Sequence, residues 1–244
     1  NNLIKICQEA LAPAQKIARL FANLRYPKFE RQINFISLSS AKEYAIYEGQ
    51  IKTLSGLQMS AEEFLSQIEE KQTLDLVTKR AEFKNEPYMV GALARINNSW
   101  RQLNPQAQKL LKESKISLPS FNPFHNILAQ AIEIVHCFEE AVKILTKLQL
   151  KENASVCQKI KVAGRGIGAI EAPRGTLFYD VSLQKNSSVK KINIITPTAQ
   201  NLDNLERDLE EMLPELKKMT EEQKQKKIKM LIRAYDPCIT CATH

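Results

Sequence analysis

Residues 124–148, FHNILAQAIEIVHCFEEAVKILTKL, have the strongest helical pattern in the chain. Apolar side chains recur there every three or four residues, at Ile127, Leu128, Ala131, Ile134, Val135, Phe138, Val142 and Leu145. An apolar face of this width is typical of a helix that packs in a hydrophobic core. The stretch therefore predicts a long core helix, and a weaker pattern of the same kind predicts a shorter helix at 105–115.

The residues before this helix predict a mixture of helix and strands. The expected elements are a helix at 2–24 and strands at 33–38 and 45–54. Pro13 should kink or divide the first helix, because proline cannot donate a backbone hydrogen bond. Ser60 and Glu63 have the spacing of a capping box and predict a short helix that ends near Lys71. Residues 87–97 are apolar and predict a buried strand or a tight turn.

The residues after the core helix favour strands over 161–195. Segments 177–183 and 191–195 predict a hairpin connected by residues 185–188. The remaining elements are two helices and an extended tail, expected at 202–213, 221–233 and 234–244. Thr220 and Gln223 have the spacing of a capping box for the second of these helices. Together these patterns predict an α+β fold that is mainly helical, with long core helices, small antiparallel sheets and an extended C-terminal tail.

Composition and charge exclude several function classes. The 244 residues are 43% hydrophobic and 25% charged, which is ordinary for a globular protein. No apolar run reaches the roughly 18 residues of a membrane span, and no signal peptide is visible. The net charge of +8 permits a nucleic-acid partner. However, the lysines of 217–229 alternate with glutamates and have no aromatic neighbours, so we interpret them as a solvated helix face.

The five cysteines are too few and too irregularly spaced for a secreted disulfide framework, which favours a reducing cytosol. Cys7, Cys137 and Cys157 each stand alone and are expected to be small buried hydrophobic residues. Cys238 and Cys241 form a CxxC pair within the last seven residues. A second CxxC for zinc is missing, and a thioredoxin-like motif would continue into a helix. We therefore favour a soft-metal site completed by ligands from elsewhere.

Four of the seven glycines lie within twelve residues: Gly164, Gly166, Gly168 and Gly175. This spacing is not the G-x-G-x-x-G that opens a helix, so it only weakly indicates a dinucleotide site. We expect instead that the glycines of the cluster 164–168 let the backbone pass close to a bulky neighbour, either a metal cluster or a packed helix.

Four motifs together resemble the large subunit of nickel–iron hydrogenases. Residues 234–244, AYDPCITCATH, resemble the DPCxxCxxH signature that ends the mature subunit. Residues 168–177, GAIEAPRGTL, resemble its EAPRG segment. Residues 197–201, PTAQN, resemble the segment near the iron, and residues 90–97, VGALARIN, resemble its VGPLARxN stretch. The motifs occur in the family's order, and the ending is more similar to the soluble cytoplasmic branch, which implies a cytoplasmic protein.

The resemblance implies a Ni-Fe centre whose iron has carbonyl and cyanide ligands. Cys238 would be a terminal nickel ligand and the base for heterolytic H2 cleavage, and Cys241 a bridging thiolate. Arg174 and Asp236 would act beside the open metal position, and their pairing would hold the guanidinium in place. The residues expected around the iron and its small ligands are Pro173, Arg174, Pro197 and Thr198. His244 matches a ligand of magnesium or a similar divalent ion.

For several residues the sequence allows two interpretations. Arg174 alone is typical of an exposed turn, because Pro173 and Gly175 flank it, although the whole EAPRG string favours a site role. Glu171 is equally consistent with pairing to a buried arginine and with proton transfer. Thr198 is equally consistent with a hydroxyl at a helix start. The structural residues are expected to be Arg95, as a packing or salt-bridge residue, and His125 and His136.

The chain departs from the family's pattern in one large respect. The N-terminal RxCxxC motif, which supplies two further nickel ligands, is missing, and 244 residues is short for this subunit. The resemblance therefore implies the C-terminal portion of a large subunit, either a separately encoded half or a fragment. Its expected parts are 1–84 with a helix and small sheet, 85–150 with core helices, 151–200 with β-strands and EAPRG, 201–233 with helices, and the metal-ligand tail 234–244.

Activity would then require partners. The resemblance implies a polypeptide that carries the RxCxxC motif, a small subunit with iron–sulfur clusters, and further electron-transfer subunits. Two other classes of protein remain as alternatives. One is an inactive structural homologue of the kind found in respiratory complex I, and the other is a basic nucleic-acid-binding module, which would bind DNA or RNA in a strongly salt-dependent way.

Overall fold

The long helix in the middle of the sequence forms as expected and organises a helical layer. In the computed structural model, which describes residues 2–72, 77–149 and 163–243, it spans Asn126–Lys147. The helices that pack against it are α1 (Asn2–Ala22), α3 (Ala92–Ser99) and α4 (Pro105–Glu113), and the long helix itself is α5. Leu93, Ile96, Leu128 and Ile132 are fully buried between these helices and form the centre of the larger core.

The strands form three small sheets among the described residues. The first has the order β3-β2-β1-β6, from Gln58–Met59, Gln50–Thr53, Asn34–Ser39 and Tyr88–Met89. Strands β4 (Ile68–Lys71) and β5 (Arg80–Phe83) pair with each other. The third sheet is β7 (Gly164–Ala172), β8 (Gly175–Leu183) and β9 (Val189–Ile195). All pairs are antiparallel except β1 with β6, which are parallel.

Three local predictions in the N-terminal half were wrong in extent. Residues 45–49 are not strand, since only Gln50–Thr53 pairs with β1. The capping box of Ser60 and Glu63 is present, but helix α2 (Ala61–Leu65) ends before Lys71 and the chain turns into β4. Residues 87–97 contain the two-residue strand β6 and then helix α3.

Pro13 does not divide α1, whose buried residues Ala14 and Ala18 follow the proline on the core side.

The predicted hairpin between 177–183 and 191–195 is confirmed as β8 and β9. Strand β7 pairs with β8 through a tight turn in which Ala172 faces Gly175, so Pro173 and Arg174 stand at the tip. Gly91 and Gly175 both have positive φ, and a Cβ on Gly91 would lie 2.9 Å from the Arg174 carbonyl oxygen. The two backbones therefore approach closely at these glycines. The expectation concerned Gly164, Gly166 and Gly168, and a packed helix against them was wrong, since no described residue lies within 4 Å of an added Cβ.

The two C-terminal helices are longer than the sequence pattern indicates. Helix α6 spans Pro197–Leu216 because Thr196 caps it and Pro197 occupies its first turn, which proline tolerates well. Helix α7 spans Glu221–Tyr235 and has the expected capping box of Thr220 and Gln223. The tail beyond it is not extended throughout, because Ile239–Ala242 forms a 3-10 turn. Within the described ranges, no helix has both the length and the hydropathy needed to cross a membrane.

The lone cysteines and the histidines differ in how well they were predicted. Cys7 is only half-buried and Cys137 is exposed on α5, so the expectation of buried cysteines was wrong for both; Cys157 lies outside the described residues. The apolar face of α5 is wider than the core that covers it, which leaves Cys137 in solvent.

His125 and His136 have structural contacts, as expected. His125 Nδ1 bonds Ser120 Oγ at 2.8 Å, and His136 Nδ1 accepts from the Asn104 amide at 3.1 Å.

Burial of His136 predicts a pH-dependent stability. Burial lowers the pKa of His136 below its usual 6.5, and it lowers the pKa of His125 as well. The unfolded chain then binds protons more readily than the folded one, so the free energy of unfolding should fall as pH drops below 6.5. His136→Asn places an uncharged acceptor near the Asn104 backbone N–H, so the free energy of unfolding should fall less steeply as the pH drops. Urea unfolding between pH 7.5 and 5.5 measures this dependence in the wild type and in the variant. Equal pH slopes for the two proteins would contradict the assignment of the effect to His136.

Candidate metal centre

Three segments that are far apart in sequence meet at the C-terminal tail. Asp236 ends helix α7 in a left-handed conformation with φ of 48°, which turns the chain sharply toward Cys238. Arg174, at the tip of the β7–β8 turn, donates from Nε to the Asp236 carbonyl oxygen at 2.6 Å and from Nη2 to its carboxylate at 3.2 Å. Thr198, in the first turn of α6, accepts the Cys238 backbone N–H at 3.1 Å. The turn, α6 and the tail therefore converge on Cys238.

The two tail cysteines stand side by side. The 3-10 turn brings the Cys238 and Cys241 Cα atoms to 5.3 Å, with a bond from the Cys241 N–H to the Cys238 carbonyl. In this structure their sulfurs form a disulfide. A disulfide has no thiolate to offer, so only the reduced pair is a soft-metal donor set. Cys238 is half-buried and Cys241 is exposed, which leaves the sulfurs accessible to ligands from another surface.

The donor set fits part of a Ni-Fe centre rather than all of it. Two thiolates beside a guanidinium suit a thiolate-bound metal with small anionic ligands. No group of three or more histidine, cysteine, aspartate or glutamate residues that could hold a metal occurs within the described ranges. His244, the expected ligand of a divalent ion, lies outside them. The described part of the chain thus offers two sulfur donors and needs others to complete a centre.

A buried ion-pair network supports the turn that carries Arg174. Arg95 on α3 pairs with Glu133 on α5 at 2.6 Å and with Glu171 on β7 at 2.7 Å. Burial would lower the pKa of Arg95, but Glu133 and Glu171 outweigh it, and the pKa lies well above its usual value. The salt-bridge role predicted for Arg95 is therefore confirmed. Of the two interpretations of Glu171, the contacts favour pairing with a buried arginine.

A second buried network fixes the end of α7. The Tyr235 hydroxyl donates to the Asp208 carboxylate, which also accepts from Arg31 Nε at 2.6 Å, and Asn204 Nδ2 donates to the Tyr235 oxygen at 2.6 Å. Burial raises the pKa of Asp208, and the bonds from Tyr235 and Arg31 oppose that rise. Because Tyr235 directly precedes Asp236, this network sets where the tail begins.

Buried amide side chains link the remaining motifs. Asn126 Oδ1 accepts the Leu93 N–H at 3.0 Å, and its Nδ2 donates to the Ala234 carbonyl at 2.7 Å. Asn201 Oδ1 accepts the Val90 N–H at 2.9 Å, and Gln200 Nε2 donates to the Thr176 carbonyl at 2.6 Å. Residues 90–97 are thereby connected to α6 and to the last turn of α7.

Glu133 and Asp208 were not among the residues expected from the sequence, although both leave a signal in it. Glu133 stands between Ile132 and Ile134 in the core helix, where an isolated charge needs a partner. Asn204 and Asp208 continue from Gln200 at four-residue spacing, which puts three polar side chains on one face of α6, and all three are fully buried. A polar stripe on a buried helix face indicates a hydrogen-bonded network.

Known proteins of one family are similar to this chain in sequence and fold. The family described as nickel-dependent hydrogenase matches residues 26–244. Sulfhydrogenase 1 subunit alpha of Pyrococcus furiosus is 34% identical over 97% of this chain and 56% of its own length. The NAD-reducing hydrogenase HoxS subunit beta of Cupriavidus necator is 32% identical over 64% of this chain and 33% of its own length.

Solved structures show the same fold. An NAD+-reducing [NiFe]-hydrogenase in its H2-reduced state superimposes with a TM-score of 0.78 at 23% identity, covering 100% of this chain and 57% of that chain. A Desulfomicrobium baculatum Ni-Fe-Se hydrogenase superimposes with a TM-score of 0.63, covering 99% and 58%. The chain thus spans about half the length of the relatives it matches most fully. With a family match over nearly all of its residues, the chain belongs to the nickel-dependent hydrogenase family.

Proposed function

We propose that this chain is part of the catalytic subunit of a nickel–iron hydrogenase, which cleaves H2 heterolytically and reversibly and passes the electrons to iron–sulfur clusters of a small subunit. The observation that carries the proposal is the convergence of the cysteine pair, the Arg174–Asp236 pair and Thr198 on one surface. Family membership supports it, because these are the segments that resemble the family's metal site.

In this proposal the reduced cysteines hold the Ni-Fe centre. Cys238 and Cys241 would hold the nickel and iron through their thiolates, and the Cys238 sulfur would be the base that takes up one proton of H2. When bound, the centre supplies the Lewis acidity and redox capacity that side chains lack. The two thiolates are suited to this role because coordination keeps them deprotonated at neutral pH.

Arg174 and Asp236 act beside the metals in this proposal. The guanidinium presents its donors in a rigid plane. Its side chain is 38% exposed, and that of Asp236 is 43% exposed. An ion pair this exposed contributes little to stability, so its role is to orient Arg174. Arg174, Pro173, Pro197 and Thr198 would surround the carbonyl and cyanide ligands of the iron.

The proposal requires partners. Two sulfur donors leave the centre incomplete, so we infer a polypeptide with the RxCxxC motif, which would make the enzyme active. A small subunit with iron–sulfur clusters and further electron-transfer subunits would complete the complex in the cytoplasm. The relatives support this inference, since several are named as subunits of hydrogenases. His244 would bind magnesium or a similar ion in the assembled site.

Neither alternative class accounts for the chain as well. An inactive homologue of the complex I type has no use for both Cys238 and Cys241. A nucleic-acid-binding module needs free cationic side chains. Yet Lys227 pairs with Glu215, and Lys224 pairs with Glu221 on the helix predicted to be solvated. The pairing of Lys224 is consistent with the solvated face predicted for this helix. At Lys227 that prediction was wrong, because its side chain is only 11% exposed against Glu215.

Cys241→Ser should abolish H2-dependent dye reduction by the assembled complex. The loss should exceed the roughly 10–100-fold that removal of an outer hydrogen-bond partner costs at a metal site, because Cys241 would be a direct metal ligand. Cys137→Ser is the matched control, since Cys137 is exposed on α5 and should leave activity unchanged. The measurement includes nickel and iron analysis and infrared spectra. Full activity of Cys241→Ser, or a wild-type complex without nickel and without carbonyl and cyanide bands, would refute the proposal.

Thr198→Val should lower activity because it removes the acceptor of the Cys238 N–H while keeping the shape of the side chain. We expect a loss on the order of tenfold in H2-dependent dye reduction, in line with the loss of an outer partner at a metal site. Thr198→Ser keeps the hydroxyl and should retain most activity. Thr146→Val, which removes a hydroxyl on the solvent side of α5, is the control. Equal activities for the Val and Ser variants of Thr198 would show that the hydroxyl does not tether the tail.

A further inference from the structure

Every N–H group of the buried Arg95 guanidinium has an acceptor. Nε and Nη2 donate to the two oxygens of Glu133 at 2.6 and 2.7 Å, and Nη1 donates to Glu171 Oε2 at 2.7 Å. The two remaining N–H groups bind backbone carbonyls, Nη1 that of Ala172 at 3.0 Å and Nη2 that of Pro173 at 3.1 Å. Five donors thus meet five acceptors, which is the full capacity of an arginine.

The two carbonyls belong to the residues directly before Arg174. Ala172 is the last residue of β7, and Pro173 is the first residue of the two-residue turn. Arg95 therefore holds the backbone on the N-terminal side of Arg174. On the C-terminal side, Gly175 continues the chain into β8. A shift of these carbonyls would move the Cα of Arg174, and with it the guanidinium that contacts Asp236.

The anchors of Arg95 are themselves fixed. Glu171 Oε1 accepts from the Leu38 N–H and from the Thr176 hydroxyl, each at 2.7 Å. Glu133 Oε1 also accepts from the Tyr44 hydroxyl at 2.6 Å. The side chains of Arg95 and Glu171 are only 4% and 0% exposed, so water cannot replace a lost partner easily. These partners consequently hold the Arg95 guanidinium in a single position.

Helix α3 contacts the same turn at a second point. Gly91, one helical turn before Arg95, lies against the carbonyl of Arg174, where a Cβ would approach to 2.9 Å. The Gly91 carbonyl in turn accepts the Arg95 backbone N–H at 2.9 Å. The start of α3 is therefore a rigid support under the tip of the hairpin.

We propose that Arg95 is a positioning residue for the metal centre, which sets the place of the Arg174 guanidinium by holding the carbonyls of Ala172 and Pro173. This inference rests on the proposed function, because it assigns Arg95 to the same site. Lysine cannot substitute for it: an ammonium keeps the charge between Glu133 and Glu171 but has three donors instead of a planar set of five.

The test is a double-mutant cycle in the assembled complex, with Arg95→Lys, Arg174→Lys and the two combined. Arg95→Lys should lower H2-dependent dye reduction by about tenfold or more, the scale of an outer partner at a metal site. If Arg95 acts through Arg174, the double variant should be no less active than Arg174→Lys alone. If the fold-losses of activity in the two single variants simply multiply in the double variant, the two residues act independently and the inference is overturned.

Arg80→Lys is the matched control. Arg80 on β5 also bridges two carboxylates, those of Asp203 and Glu206, and these bonds join it to α6 rather than to the turn. Its substitution should change activity much less than that of Arg95. Glu171→Gln is a second variant that disturbs the contacts of Arg95. It keeps an oxygen acceptor for the Leu38 N–H while weakening the pair with Arg95. Equal losses for the Arg80 and Arg95 variants would overturn the inference.

Hydrogen exchange in the same complexes provides a readout that does not depend on activity. In Arg95→Lys, the backbone amides of Ala172 and of residues 174–176 should exchange at least about tenfold faster, while those of α4 and of residues 184–188 should not change. A uniform increase over the chain would indicate general destabilisation and would contradict a positioning role. If the wild-type complex has neither nickel nor activity, the proposed function fails, and this exchange pattern still decides whether Arg95 holds the turn.

Discussion

The site depends on one constraint, which is that the buried charge of Arg95 must be balanced where it lies. Unpaired charges are very costly inside a protein, so Glu133 and Glu171 have to reach Arg95 from α5 and β7. Satisfying that constraint joins the helical layer to the three-stranded sheet, and Glu171 extends the connection to β1 through the Leu38 amide. The geometry of the Arg174 turn follows from this junction.

The tail is located by a second set of buried polar groups on α6. Asp208 and Asn204 hold the hydroxyl of Tyr235, and Thr198 accepts the amide of Cys238, so the chain is fixed on both sides of Asp236. Between these tethers, the left-handed conformation of Asp236 directs the cysteines toward Arg174. A short tail with few apolar contacts of its own thereby obtains a defined position, which a metal ligand requires.

The sequence predicted those features that depend on local chemistry. Helix α5, the β8–β9 hairpin and both capping boxes follow from periodicity and spacing, and the Arg174–Asp236 contact was expected from the family motifs. The supporting networks could not be predicted, because their partners are far apart along the chain. Arg95 and Glu171 are separated by 76 residues, and Arg31 and Asp208 by 177. Strand β2 is shorter than its pattern suggested because pairing with β1, and not propensity, determined its ends.

The central claim is that Cys238 and Cys241 bind the metals beside Arg174. Anomalous X-ray diffraction at the nickel absorption edge, from crystals of the reduced complex, tests it most directly. We expect one nickel peak within bonding distance, about 2.3 Å, of both sulfurs, as for other thiolate-bound metals, and on the side of the tail that faces Arg174. A nickel peak elsewhere, or a tail that retains its disulfide in a complex active with H2, would contradict the claim.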